Sequence, residues 1–163
     1  KYSSPKFGGA SFTAHAAEAG AAGDGKNYGL SGLYFGGPLA LGFAWESVKV
    51  GSSVADTKTW QLGASYDLKA VKLFGQYGKV DNKTTGNAYD IAGLGASVPV
   101  GNGKILAQWG QIKPETGPKR KTFSAGYDYF LSKRTDLYAV YMSDKISGLD
   151  TGTNYGIGIR HRF

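Results

Sequence analysis

The chain has 163 residues, no cysteine and a formal charge of +7, which leaves neither a disulfide framework nor a thiolate metal site available. Mean hydropathy is -0.28, and no run nears the roughly eighteen apolar residues of a membrane helix, so a helical span is excluded. A membrane barrel is not excluded, because its polar and apolar faces cancel in any average. The basic balance suits nucleic acid, an anionic membrane surface or an anion-favouring pore. The lysines fall mostly in expected loops and turns and do not interleave with stacking aromatics, so no nucleic-acid partner is expected.

Alternation of period two predicts ten strands, at about 10–17, 27–35, 39–48, 57–67, 71–80, 89–98, 103–112, 121–131, 134–143 and 154–163. Leu39, Leu41, Phe43 and Trp45 oppose Ala40, Gly42, Ala44 and Glu46. Trp60, Leu62, Ala64 and Tyr66 oppose Gln61, Gly63, Ser65 and Asp67. Further along, Phe123, Ala125, Tyr127 and Tyr129 oppose Thr122, Ser124, Gly126 and Asp128. The registers of 89–98 and 134–143 stay open, because both faces carry apolar residues. In the last strand Tyr155, Ile157, Ile159 and Phe163 share one face, and a patterned strand running to the terminus suggests an end held in a closed sheet.

Short connectors at 36–38, 69–70, 100–102 and 132–133 alternate with longer polar ones near 18–26, 49–56, 81–88, 113–120 and 144–153, as in a barrel with tight turns on one side and loops on the other. Aromatics on the oily faces collect at two levels. Tyr28, Trp45, Trp60, Tyr77, Trp109, Phe123 and Tyr155 lie toward the long loops; Phe12, Tyr34, Tyr66, Tyr129 and Phe163 lie toward the short turns. A six-residue step separates the levels in three strands, about 14 Å of depth for a tilted strand. A β-sandwich would explain the alternation but not two belts. The fold class expected is therefore all-β, one transmembrane antiparallel up-and-down β-barrel domain over 1–163.

Catalytic chemistry finds little support. His15 has no nearby acid in sequence beyond Glu18, and His161 lies on the oily parity, so no nucleophile, base and orienting group come together. Gly101-Asn102-Gly103-Lys104 lacks P-loop spacing and reads as a hairpin turn. Asn82-Lys83-Thr84 reads as a polar exposed loop, and no acidic spacing suits calcium. No cofactor or metal is expected. Parity instead assigns a lining: Lys72, Lys104, Arg134, Arg160 and Arg162 as inward cations, and Glu46, Asp67, Asp128 and Asp136 as inward anions. A charge on the lipid face would cost roughly 2–4 kcal/mol at the midplane, which favours the lumen, and the basic excess predicts an anion preference.

Three stretches resemble a general porin of the Gram-negative outer membrane, of the β-proteobacterial type: Tyr2-Ser3-Ser4-Pro5-Lys6-Phe7-Gly8-Gly9, the hairpin from Tyr127 to Tyr138, and the terminal Gly158-Ile159-Arg160-His161-Arg162-Phe163. The resemblance implies a water-filled channel for passive diffusion of small hydrophilic solutes and ions, seated in outer-membrane lipid and homotrimeric when complete. It also implies that the chain, which has no initiator Met or signal peptide, is the C-terminal portion of a sixteen-stranded barrel. Lys1 to Ser3 would then finish a preceding strand. The family likeness marks Tyr155, Ile157, Ile159 and Phe163 as a signal read by the barrel-assembly machinery, with His161 departing from the commoner aromatic. The main alternative is a self-contained ten-stranded barrel acting as an enzyme or structural anchor, and a soluble lectin-like module is a third reading.

Overall fold

The computed structural model describes residues 1–18, 25–50 and 56–163. Its regular structure is entirely β: β1 (Tyr2–Ser3), β2 (Ala10–Glu18), β3 (Gly25–Gly36), β4 (Leu39–Val50), β5 (Thr57–Asp67), β6 (Lys72–Asn82), β7 (Asn87–Val100), β8 (Gly103–Pro114), β9 (Arg120–Phe130), β10 (Thr135–Ile146) and β11 (Thr151–His161). They form one antiparallel sheet in chain order, each strand bonded to its sequence neighbours. Among the described residues β11 does not pair with β1, and there are eleven strands, not ten. Both facts weigh against a self-contained ten-stranded barrel. The eleventh is the short β1, where Tyr2 pairs with Ala14, as expected for Lys1 to Ser3.

Residues directly opposed in an antiparallel ladder share a face, so the register carries the aromatic face from strand to strand. Leu30 opposes Trp45 and Trp45 opposes Trp60; Leu94 opposes Trp109 and Trp109 opposes Phe123. Tyr129 opposes Leu137, and Leu137 opposes Ile159. These pairs settle the two open registers. Leu94, Leu137 and Tyr141 join the aromatic face, while Ile91, Tyr138 and Val140 join the other, here called the polar face.

The strands run further into three of the long connectors than their patterning predicts, leaving only 83–86, 115–119 and 147–150 between strands. Asn, Thr and Lys are poor apolar markers, yet they hold a ladder beyond the oily zone and then close it. The Asn82 carboxamide accepts from the Thr84 and Thr85 amides at 3.1 and 3.0 Å, and Gly86 takes the left-handed conformation at φ 70°. Most of the connectors expected at 18–26 and 49–56 lies outside the described residues. The terminal strand stops at His161 rather than Phe163, although the Arg162 amide still donates to the Arg134 carbonyl at 2.8 Å.

The sheet encloses almost no core. Ala88 is the one buried apolar residue among those described, while Leu94 is 65% exposed and Ile157 87%. Among the described residues no second layer covers the aromatic face, which removes the β-sandwich. An apolar surface of this extent is stable in lipid, where backbone groups paired along the ladder meet no unsatisfied partner.

Candidate functional site

The polar face of β8 to β11 gathers five charges at the short-turn end. Arg160 grips Asp136 directly across the β10–β11 ladder, with Nε donating to Oδ1 at 3.1 Å and Nη2 to Oδ2 at 2.5 Å. This two-pronged geometry is one that a planar guanidinium supplies and an ammonium does not. The same Nη2 reaches Asp128 Oδ2 at 3.4 Å. Arg162 approaches Asp136 Oδ1 at 3.4 Å, and Lys104 lies 3.8 Å from Asp128. Asp136 has no exposed surface, whereas the Arg160 and Arg162 side chains are about half exposed. Two enclosed carboxylates thus hold three cations whose outer surfaces meet water.

Sequence parity places these five on one face, and the structure brings all five together. The other expected lining residues are more scattered. Glu46 lies 3.5 Å from His15 Nε2, so His15 does have an acidic partner, supplied two strands away. Gly29 stands between them in register, and a Cβ there would sit 2.1 Å from the His15 ring, so the glycine gives the imidazole its path. Asp67 closes the β5–β6 turn by accepting from the Lys69 amide at 2.8 Å. Lys72 lies 5.5 Å from the Phe74 ring centre. Arg134 precedes the first residue of β10, so strand parity does not set its direction as expected.

One pair escaped sequence reasoning. Arg120 Nε donates to both Asp144 oxygens at 2.9 and 3.0 Å, and the Thr122 hydroxyl donates to Oδ1 at 2.8 Å. All three lie on the polar face at the loop end, and Arg120 and Asp144 each fall one residue outside a predicted strand. Extending the alternation of 121–131 by one residue would have put Arg120 beside Thr122 in parity.

On the aromatic face the girdle residues make contacts that tie neighbouring strands. Trp60 and Tyr77 meet edge-on at 5.6 Å, and Tyr141 and Tyr155 meet tilted at 5.4 Å. Tyr28 and Trp45 share this face with Leu30, and Tyr66 opposes Leu39. Tyr127 and Tyr129 contact at 6.5 Å toward the turns. His161 bonds the Thr135 hydroxyl at 2.8 Å and packs its ring on Phe163 at 5.1 Å. Among the described residues no group of His, Asp and Glu is arranged to hold a metal ion.

A single sheet with one lipid-compatible face, one charged face and aromatics at both margins defines a wall of an outer-membrane β-barrel. The sequence pattern of the Gram-negative porins matches residues 1–149, and the chain belongs to that family. It is thus a protein of the Gram-negative outer membrane, from a family of channels rather than enzymes. It is 29% identical to an outer membrane porin protein of Bordetella pertussis and 31% identical to outer membrane porin protein 32 of Delftia acidovorans, in each case over 80% of this chain and 44% of the relative. The anion-selective porin from Comamonas acidovorans superposes with a TM-score of 0.81 at 26% identity, over 99% of this chain and 58% of that one. A second solved porin matches at TM-score 0.82 and 13% identity, a likeness of fold alone. The chain spans less than half the length of the curated relatives it matches.

Proposed function

We propose that the polar face lines a water-filled channel through which small hydrophilic solutes and ions diffuse passively, and that the aromatic face meets outer-membrane lipid. The observation that carries this reading is the cluster of Lys104, Asp128, Asp136, Arg160 and Arg162, five charges on one face with the cations turned toward solvent. Such a cluster is costly against lipid and hydrated in a lumen. Three cations against two carboxylates leave a positive surface, which favours anions; the similarity to a porin described as anion-selective supports the same sign. The complete protein assembles as a homotrimer in this reading. Its terminal strand, through Tyr155, Ile157, Ile159 and Phe163, is taken up by the barrel-assembly machinery by strand addition.

Planar-bilayer recording of the complete protein tests the channel. A folded barrel that passes neither ions nor small sugars sinks the proposal. In a salt gradient the reversal potential should show anion preference, and R160Q should move it toward cations.

A further inference from the structure

The polar face is not polar throughout. One same-face step from the charged cluster, away from the turns, Leu106 of β8 and Val140 of β10 both stand directly opposite Gly126. A Cβ on Gly126 would come within 2.9 Å of the Ala139 carbonyl oxygen and 3.6 Å of the Val140 side chain, so the glycine keeps a shelf open between the two apolar residues. Val140 is 42% exposed and Leu106 is half-buried. Tyr138, one step nearer the cluster, lies with its hydroxyl end over Gly158, where a Cβ would stand 2.5 Å from the hydroxyl oxygen. That hydroxyl makes no hydrogen bond among the described residues. Leu106, Gly126, Tyr138 and Val140 line one concavity of about 640 Å³, and Asp128 is the one charged residue that lines it among those described.

An exposed apolar shelf contributes nothing to the passage of a hydrated ion, yet this one adjoins the point where two cations converge. Lys104 Nζ and Arg160 Nη2 lie 3.8 and 3.4 Å from the same Asp128 oxygen, and both side chains are partly exposed. Asp128 and Asp136 offset two of the three positive charges in the cluster, and the third is left to draw an anion. We infer that this part of the polar face is a binding site for small carboxylates that carry an apolar ring. The carboxylate meets Lys104 and Arg160 and accepts a charge-assisted hydrogen bond from the Tyr138 hydroxyl, while the ring lies on Leu106, Gly126 and Val140. An apolar concavity with a few polar groups converging at one side is the usual build of a small-molecule site. The site rests on the polar face lining the channel, and it adds to an anion preference a choice among anions.

The test records chloride current through the complete porin in a planar bilayer and reads its block by benzoate, cyclohexanecarboxylate, acetate and uncharged benzamide. Half-burying a ring rather than a methyl group favours binding by about tenfold, so benzoate and cyclohexanecarboxylate should block at about a tenth of the acetate concentration. Benzamide should not block there. L106S/V140S should bring benzoate to the acetate level, whereas L33S, a like exchange on the polar face of β3, should keep the difference. Y138F keeps the ring and removes one donor, so it should weaken block by benzoate and acetate alike, by about fivefold. Equal block by acetate and benzoate in the parent, a difference that survives L106S/V140S, its loss in L33S, or block by benzamide at the benzoate concentration overturns the inference. If L106S/V140S forms no channels, Y138F decides alone, and unchanged block by both carboxylates overturns the site. A folded barrel without chloride current removes the channel and this site with it; current without a preference for the ring removes the site only.

Discussion

The two ends of β8 to β11 place charge in opposite ways. At the turn end five charges from four strands interlock on the polar face, and the aromatic face of these strands carries no Asp, Glu, Lys or Arg there. At the loop end the polar face keeps one pair, Arg120 with Asp144, while lysines appear on the aromatic face instead. The turn end is thus a fixed field, in which each cation is held by a carboxylate that is itself enclosed. At the loop end Lys121 stands opposite Lys145, and Lys113 opposite Asp90, all turned away from the polar face. A single sheet thus carries charge on one face at one end and on the other face at the other end without any change of fold, by moving the charge one residue along the strand.

The largest effect expected from breaking the turn end is on biogenesis. Deleting Phe163, which is fully exposed beyond β11, removes at most about 3 kcal/mol of apolar burial, too little to unfold a complete barrel. On the proposed role of the terminal strand as a recognition edge, the yield of assembled porin in cells should nonetheless fall by on the order of tenfold, while refolding in detergent changes little. Equal loss in both settings would leave Phe163 only its place in the girdle.

R160Q comes next. It strips Asp136 of both prongs, leaving an enclosed carboxylate with Arg162 alone, so the refolded barrel should melt at a lower temperature and the reversal potential should shift toward cations. R160K sharpens the result: it keeps the charge and loses the fork, so selectivity should return while heat stability recovers only in part. At the loop end D144N frees Arg120 and should move selectivity toward anions, by less than R160Q moves it the other way. A larger shift from D144N would place the controlling field at the loop end and invert the comparison.

The strands and their faces were legible because alternation survives wherever a residue meets lipid. Leu39 to Trp45, Trp60 to Tyr66 and Phe123 to Tyr129 all keep the predicted faces. Strand ends were not legible where the ladder continues past the oily zone, since Lys113 and Lys145 look like loop residues although they are paired. Parity put Asp136 and Arg160 on one face, but their contact joins residues 24 positions apart, and only register can bring them opposite. The Arg120–Asp144 pair, also 24 apart, was lost because each member lay one residue outside a predicted strand. His15 and Glu46 were not legible as a pair, because the glycine that lets them meet belongs to the strand between.

That pair yields the smallest expected effect, and it extends the comparison to the other side of the sheet. His15 and Glu46 stand 3.5 Å apart with side chains 37% and 51% exposed, and they form an ion pair only when the imidazole carries a proton. Unlike Arg160 and Asp136, neither is enclosed and neither offers a second prong, so water competes for both and the contact adds little to stability. H15Q should therefore leave the melting temperature of the complete barrel within the scatter of the parent's. G29A should cost more than H15Q, although it alters no charge, because its methyl group would occupy the space the His15 ring crosses. Thermal unfolding of G29A and of H15Q/G29A decides the point: removing the ring should recover part of what the methyl group loses. If the double variant melts no higher than G29A, the glycine matters to the backbone and not to the path of the histidine.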